Sequence, residues 1–336
     1  MRAALTEAAK GVGRTSPNPA VGAVLVIGGE IVARGHHRGP GEPHAEVECL
    51  NAYGNAVSRD ATLYVTLEPC STRGRTSPCT QALINARVKN VVVGAIDPNP
   101  KHAGRGLELL RAAGVSVRAH VLESECAALN DAFNKWIQTR RPFVIAKCGM
   151  TLDGRLTCAP NESRWITSRA ARQHANRFRA QVDAILIGAE TLRVDNPRLT
   201  VREVAAARQP WRVVLSRSGR LPTDAHLFTD RFADRTIVFR GESLATALRE
   251  LGEQEITSVL IEGGGDVLGQ ALDARLIDKV HIYLAPHFCG GPVVAFAARG
   301  ASRSSEALRL RHIRYERINN DLFVAAHAAY DAASPE

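Results

Sequence analysis

Two α/β domains in one chain are what this sequence predicts, and three observations predict them. Its 336 residues exceed the roughly 250 at which a single core usually stops growing. Short apolar runs alternate with helix-period segments in both halves, the pattern of layered α/β folds. That alternation stops and restarts once, around Arg140, Arg141 and Pro142, which sets the expected domains at 1–140 and 141–336.

In the first half LTEAAKGVG reads as the end of a helix closed by Gly11 or Gly13, and SPNP at 16–19 as a turn. AVGAVLVIGGEIVARGHH reads as two strands about a Gly28-Gly29 hairpin. A helix follows from about Ala45 to Asn55, then the strand ATLYVTL, a helix over Pro78 to Ala86 and the buried strand VKNVVVGAI. GRGLELLRAAG is a helix capped by Gly114, VSVRAHV a last strand, and LNDAFNKWIQTRR a closing helical segment.

The second half opens with the strand PFVIAKCGM, the turn LDGR and a helix from Ser168, its cap, to about Ala180. The strands DAILIGA, RVVLS, TIVFR, SVLIEGG and KVHIYLAP continue the alternation, and RYERINNDLFVAAHA is a closing hairpin. Hydrophobic residues at 45% and charged residues at 23% give each half enough apolar surface for its own core.

Arg2, Glu7, Lys10 and Arg14 interrupt the first thirty residues, and no run of apolar residues reaches membrane-spanning length. The expectation is a cytoplasmic protein with no membrane partner. Seven cysteines without a repeating spacing suit a reducing compartment, so no disulfide framework is expected and Cys49, Cys126, Cys148, Cys158 and Cys289 read as small apolar fillers. The net charge of +9 suits anionic partners, but the arginines are scattered and aromatics are only 5%, which weighs against nucleic acid. A phosphorylated small substrate and a dinucleotide fit the charge equally well.

Cys70 and Cys79 are different. A hydrolytic zinc site needs three protein ligands and an open position for water, whose pKa the ion lowers to about 7. His44, Cys70 and Cys79 supply three ligands, and Glu46, two residues from His44 at the start of a helix, supplies a carboxylate to shuttle the proton. H-x-E followed by P-C and a further cysteine is the signature of zinc nucleoside and nucleobase deaminases. The gap of eight residues between the cysteines is wider than the usual two. A solvated loop histidine beside two buried thiols is the plainer alternative. His37 and Glu48 lie close by in sequence, and surface placement accounts for both.

TSPNPAVGAVLV, PHAEVECL, EPCSTRGRTSPC and DPNPKHAGRG occur in the order seen in bifunctional riboflavin biosynthesis deaminase-reductases, which use the wider cysteine spacing. KCGMTLDGRL, ESRWITS, VDAILIGAETLRVDNPRLTVR, LIEGGGDVLG and YLAPHFCGG extend the resemblance across the second half. The resemblance implies an N-terminal cytidine-deaminase-like three-layer α/β/α domain and a C-terminal dihydrofolate-reductase-like α/β domain. It implies one zinc ion per deaminase domain, NADPH in the reductase domain, small phosphorylated pyrimidines as substrates and a homodimer or larger homo-oligomer. His44, Cys70 and Cys79 match the zinc ligands and Glu46 the catalytic proton shuttle, while Asn18, Asp97 and Asn99 match residues lining the pyrimidine pocket. Their amides and carboxylate can read the donor and acceptor edge of a diaminopyrimidinone. One departure stands out: where the family commonly has a histidine two residues after the first cysteine, this chain has Thr72.

In the reductase half the glycine run at Gly263 follows the strand SVLIE and precedes a helix, where backbone amides can hold phosphate, although a tight turn would use the same residues. By resemblance Gly264, Gly265, Asp266, Val267, Leu268 and Gly269 form the NADPH phosphate segment, and Gly149, Trp165, Thr191 and Asp195 are further cofactor contacts. Ser163, Arg179, Leu199, Arg202 and Glu262 align with substrate contacts, and Lys147 is placed to orient the sugar. An arginine fork suits a ribose 5′-phosphate. Without the resemblance Arg179 reads as a solvated helix face. Two competing readings are a reductase whose deaminase half is impaired and a nucleic-acid-editing deaminase. The first has intact His44, Glu46, Cys70 and Cys79 against it, and the second leaves the whole second half unexplained.

Overall fold

The structure, a computed structural model, describes residues 1–72, 77–159 and 165–330. The chain folds as two compact units, Met1–Arg140 and Arg141–Glu336.

The first unit runs α1 (Arg2–Ala9), β1 (Gly22–Ile27), β2 (Glu30–His36), α2 (Ala45–Tyr53), β3 (Thr62–Leu67), α3 (Cys79–Asn85), β4 (Asn90–Ala95), α4 (Arg105–Ala112), β5 (Ser116–Arg118), α5 (Glu123–Ala128) and α6 (Asp131–Thr139). Its five strands lie in the order β2-β1-β3-β4-β5, antiparallel across the β1 pairings and parallel from β3 onward. Helices cover both faces, giving three layers. Two glycines mark how closely they dock: a Cβ on Gly22 would meet the Ala4 carbonyl oxygen in α1 at 2.2 Å, and one on Gly35 would meet the Cys49 amide in α2 at 2.3 Å. Leu25, Leu63, Val65, Val91 and Val93 from the sheet pack with Ala45, Cys49, Leu83, Leu107 and Leu110 from α2, α3 and α4. The strand read from VSVRAHV is only three residues long, because it is an exposed sheet edge with one partner.

The second unit runs β6 (Phe143–Thr151), α7 (Arg169–Arg179), β7 (Ala184–Gly188), α8 (Ala189–Asp195), β8 (Trp211–Ser216), α9 (His226–Thr229), β9 (Thr236–Arg240), α10 (Leu244–Glu253), β10 (Ser258–Ile261), α11 (Gly265–Asp273), β11 (Lys279–Ala285), β12 (Arg309–Ile318) and β13 (Asp321–Ala329). Its eight strands take the order β12-β13-β11-β6-β10-β7-β8-β9, and only β13 runs antiparallel to its neighbours, β11 and β12. AILIG in β7 is buried at every position, as a parallel strand covered on both faces should be. Ser168 caps α7 by accepting a hydrogen bond from the Ala171 amide at 3.3 Å.

The cysteine expectation is corrected here. Cys158 and Cys289 form a disulfide across 131 residues of sequence, with their Cα atoms 4.8 Å apart. Neither is a core filler: Cys158 is exposed on the loop after β6 and Cys289 half-buried on the loop after β11, so each has a neighbouring sulfur rather than an apolar shell. Among the described residues no helix is long and apolar enough to cross a membrane.

Candidate active sites

In the first unit, three chain segments converge on one point. His44 is the extended residue that starts α2, Cys79 is the first residue of α3, and Cys70 lies on the loop leaving β3. Their ligand atoms all fall within 4.8 Å of one another. The His44 Nδ1 sits 3.1 Å from Cys79 Sγ and 3.6 Å from Cys70 Sγ. The gap of eight is closed by the fold: the Cys79 amide donates to Cys70 Sγ at 3.3 Å, and both the amide and the hydroxyl of Thr80 donate to the Cys70 carbonyl at 3.2 Å.

Hydrogen bonding from Cys79, with His44 adding to it, holds the Cys70 thiol well below the usual thiol range, which favours the thiolate that binds metal. One imidazole nitrogen and two sulfurs are the donor set zinc prefers, so the residues fit that ion. Glu46, on the first turn of α2, is buried, and that burial raises its carboxyl to about 7.

Around this cluster the structure brings in the expected pyrimidine residues. Asn18 Nδ2 lies 3.1 Å from His37 Nε2, and the His37 ring is 5.2 Å from that of His44, edge to face. His37 is therefore not a surface residue. It is 2% exposed, with Nδ1 3.1 Å from the Pro43 carbonyl, and burial lowers its pKa and favours the neutral ring. Glu48, by contrast, pairs outward with Arg38 at 2.8 Å. Asp97 and Asn99 follow β4, where Asp97 is buried and accepts a hydrogen bond from the Asn99 amide at 2.9 Å.

Two neighbours were not singled out by sequence. Glu68, before Pro69 and Cys70, accepts hydrogen bonds from the amides of Asp97, Gly104 and Gly106. His102 brings an imidazole to within 3.5 Å of the Thr72 hydroxyl and 3.4 Å of that of Ser71. A lone acid at the end of the apolar run TLYVTL was the available signal for Glu68.

In the second unit the site is a cavity of about 1050 Å³. Lys147, Gly149, Trp165, Arg179, Thr191, Asp195, Leu199, Arg202, Glu262, Gly264, Gly265, Asp266 and Leu268 all line it. It opens where α8 follows β7 and α11 follows β10, at the carboxyl ends of parallel strands where α/β sheets bind ligands. A Cβ on Gly265 would meet the Val294 carbonyl oxygen at 2.1 Å, so only glycine lets α11 start against that loop. Ser163 lies outside the described residues.

Val267 and Gly269, expected in the cofactor phosphate segment, are not among the residues that line the cavity. Val267 points into the core against Gly188, and Gly269 presses on the Ala297 backbone, so both hold α11 in place. Arg179 is likewise no solvated residue. Its fork grips Glu262 through two 2.7 Å hydrogen bonds, and a third nitrogen donates to the Thr200 carbonyl at 3.0 Å. Burial would raise the Glu262 carboxyl, but Arg179, Lys147 at 4.0 Å and Arg202 outweigh it and hold it at about 2. Trp165 is exposed, with the Arg172 guanidinium 4.4 Å over its ring.

Fold and sites together define a two-headed enzyme class, a zinc-type deaminase joined to a reductase built on a mostly parallel sheet. Residues 1–95 match the cytidine and deoxycytidylate deaminase zinc-binding region, and residues 142–324 match the RibD C-terminal domain. The riboflavin biosynthesis protein RibD of Synechocystis sp. is 40% identical, over 96% of this chain and 93% of that protein, and its counterpart from Aquifex aeolicus is 37% identical over 96% of each. Among solved structures, Acinetobacter baumannii RibD superposes with a TM-score of 0.89 at 36% identity, covering 98% of this chain and 97% of that one. A deaminase/reductase from Thermotoga maritima gives 0.88 at 34% identity with the same coverage. The chain belongs to the riboflavin biosynthesis protein RibD family. It is a bifunctional hydrolase and oxidoreductase, with a zinc-binding deaminase domain and a reductase domain that takes a nucleotide cofactor.

Proposed function

We propose that the first unit removes the 2-amino group of 2,5-diamino-6-ribosylamino-4(3H)-pyrimidinone 5′-phosphate. The second unit then reduces the ribosyl chain of 5-amino-6-(5-phosphoribosylamino)uracil to ribityl with NADPH. The Thermotoga maritima relative carries both activities in its name. The convergence of His44, Cys70 and Cys79 beside a buried Glu46 is the observation that carries the first step.

His44, Cys70 and Cys79 would hold zinc, which supplies a Lewis acid able to acidify water at neutral pH. Glu46 moves a proton from the attacking water to the departing amine. Asn18, Asp97 and Asn99 read the pyrimidine edge, and His37, fixed by Asn18 and Pro43, closes the pocket beside them.

In the reductase, Gly264, Gly265 and Asp266 at the start of α11 receive the cofactor phosphates, with Gly149, Trp165, Thr191 and Asp195 along its path. The Arg179 fork is committed to Glu262, so of the two arginines expected at the substrate Arg202 is the one left to meet its phosphate. Arg179 and Lys147 fix the Glu262 carboxylate beside the opened sugar. The enzyme works on small phosphorylated pyrimidines in the cytoplasm, as a homodimer or larger assembly whose mass light scattering will report.

The test is coupled turnover by zinc-loaded protein supplied with NADPH. Ammonia release from the pyrimidinone phosphate followed by NADPH consumption is expected. Ammonia without NADPH oxidation, or the reverse, would sink the two-step reading.

A further inference from the structure

Glu68 is nearly fully buried, and no cation among the described residues lies within ion-pair distance of it. Its carboxylate is instead matched by backbone amides of the loop after β4 and of the first turn of α4. Oε2 accepts from Asp97 at 3.2 Å and from Gly104 at 2.9 Å, and Oε1 accepts from Gly106 at 2.8 Å. The Glu68 amide in turn donates to the Ala95 carbonyl at 2.9 Å. The first turn of α4, where that loop ends, is pressed onto the same segment: a Cβ on Gly106 would stand 2.2 Å from the Pro69 carbonyl oxygen. Both ends of the loop carrying Asp97 and Asn99 are thus bolted to the Glu68-Pro69-Cys70 segment that presents a metal ligand.

We infer that Glu68 is a positioning residue for deamination. It sets the distance between the residues that read the pyrimidine and the metal cluster that attacks it. A carboxylate suits the task because its two acceptor oxygens can take several amide hydrogens at once. An amide in its place would turn an N–H group toward donors and leave at least one of those amides unpaired. The inference rests on the reading that Asp97 and Asn99 hold the pyrimidine.

The experiment uses the full chain with zinc, comparing Glu68→Gln, Glu68→Asp, Asp97→Asn and the Glu68→Gln/Asp97→Asn double variant. Deamination kcat and KM, bound zinc, and reduction of supplied deaminated substrate are measured for each. Glu68→Gln should raise the deamination KM about tenfold or more, with the smaller share of the loss in kcat, full zinc and unchanged reduction. Glu68→Asp should recover part of the loss. The double variant should be little worse than Asp97→Asn alone, since Glu68 acts through that loop.

Loss of zinc, or a defect purely in kcat, in both Glu68 variants would overturn the proposal and leave Glu68 as a support for the ligand loop. An unchanged KM in Glu68→Gln beside a raised one in Asp97→Asn would overturn the positioning role alone. An inert Asp97→Asn would sink the pyrimidine reading and the proposal together.

Discussion

Glu46 and Glu262 are both buried carboxylates at the centre of a site, and the molecule drives them in opposite directions. Burial carries Glu46 to about 7, whereas Arg179, Lys147 and Arg202 hold Glu262 at about 2 against the same kind of burial. Desolvation alone therefore does not set a carboxyl's role; the charges facing it do. A carboxyl with no facing guanidinium can take up and release a proton, while one gripped by an arginine fork is a fixed anion that orients what surrounds it.

The sharpest way to break this comparison is to remove each carboxyl's charge in turn. Glu46→Gln should cost deamination at least about a hundredfold, the lower range for a general acid-base group, while reduction of supplied deaminated substrate continues. Chelation of zinc should give the same split, read by ammonia release beside NADPH oxidation. Parallel loss of both activities would show that the two sites are not independent.

Glu262→Gln should act on stability as well as on reduction. It leaves the Arg179 guanidinium largely buried with its partner's charge gone, at a cost of about 3 kcal/mol. The pH dependence follows from the sign of the shift. The folded value lies below the ordinary 4.5, so the stabilisation is complete above that pH and is lost as pH falls toward about 2. Denaturant unfolding monitored by reductase activity should show the wild-type advantage over Glu262→Gln at pH 7 and a shrinking one toward pH 3. An advantage that grows on acidification would refute the assignment.

A smaller effect is expected from the Cys158–Cys289 bond. It ties together the two loops that bring Leu156, Thr157 and Val293 to the cavity wall. Cys158→Ser, or reduction of the bond, should raise the KM for NADPH severalfold and leave ammonia release unchanged. Identical cofactor kinetics would mean that Asp153, which accepts from the Cys289 and Gly290 amides, holds the second loop by itself.

The two sites also differ in how far they could be read before folding. The cluster of His44, Cys70 and Cys79 was legible because its parts stand in short motifs beside strand and helix ends, and the α/β alternation was legible because it rests on local periodicity. What joins distant segments was not. Sequence separations of 131 between Cys158 and Cys289 and of 83 between Arg179 and Glu262 leave no local pattern. Val267 and Gly269 share a motif with cavity residues but face the core, because a helix that presents one side to a ligand must pack the other. His37 read as exposed since two adjacent histidines at a strand end give no sign of which one turns inward.

The smallest expected effect concerns the one motif position that departs from the family pattern. Thr72 leaves room for an imidazole arriving from the opposite loop, and His102 Nε2 lies 3.5 Å from its hydroxyl. An imidazole thus stands beside Ser71 and Thr72, the two residues after Cys70, although the motif histidine is missing. Restoring it with Thr72→His should change deamination kcat/KM by less than about tenfold, because the new ring competes for space that His102 already fills. His102→Ala should cost more in the natural chain than in the Thr72→His background, where the second imidazole takes over. Equal losses in the two backgrounds would show that the rings do not substitute for one another and that Thr72 is a neutral replacement.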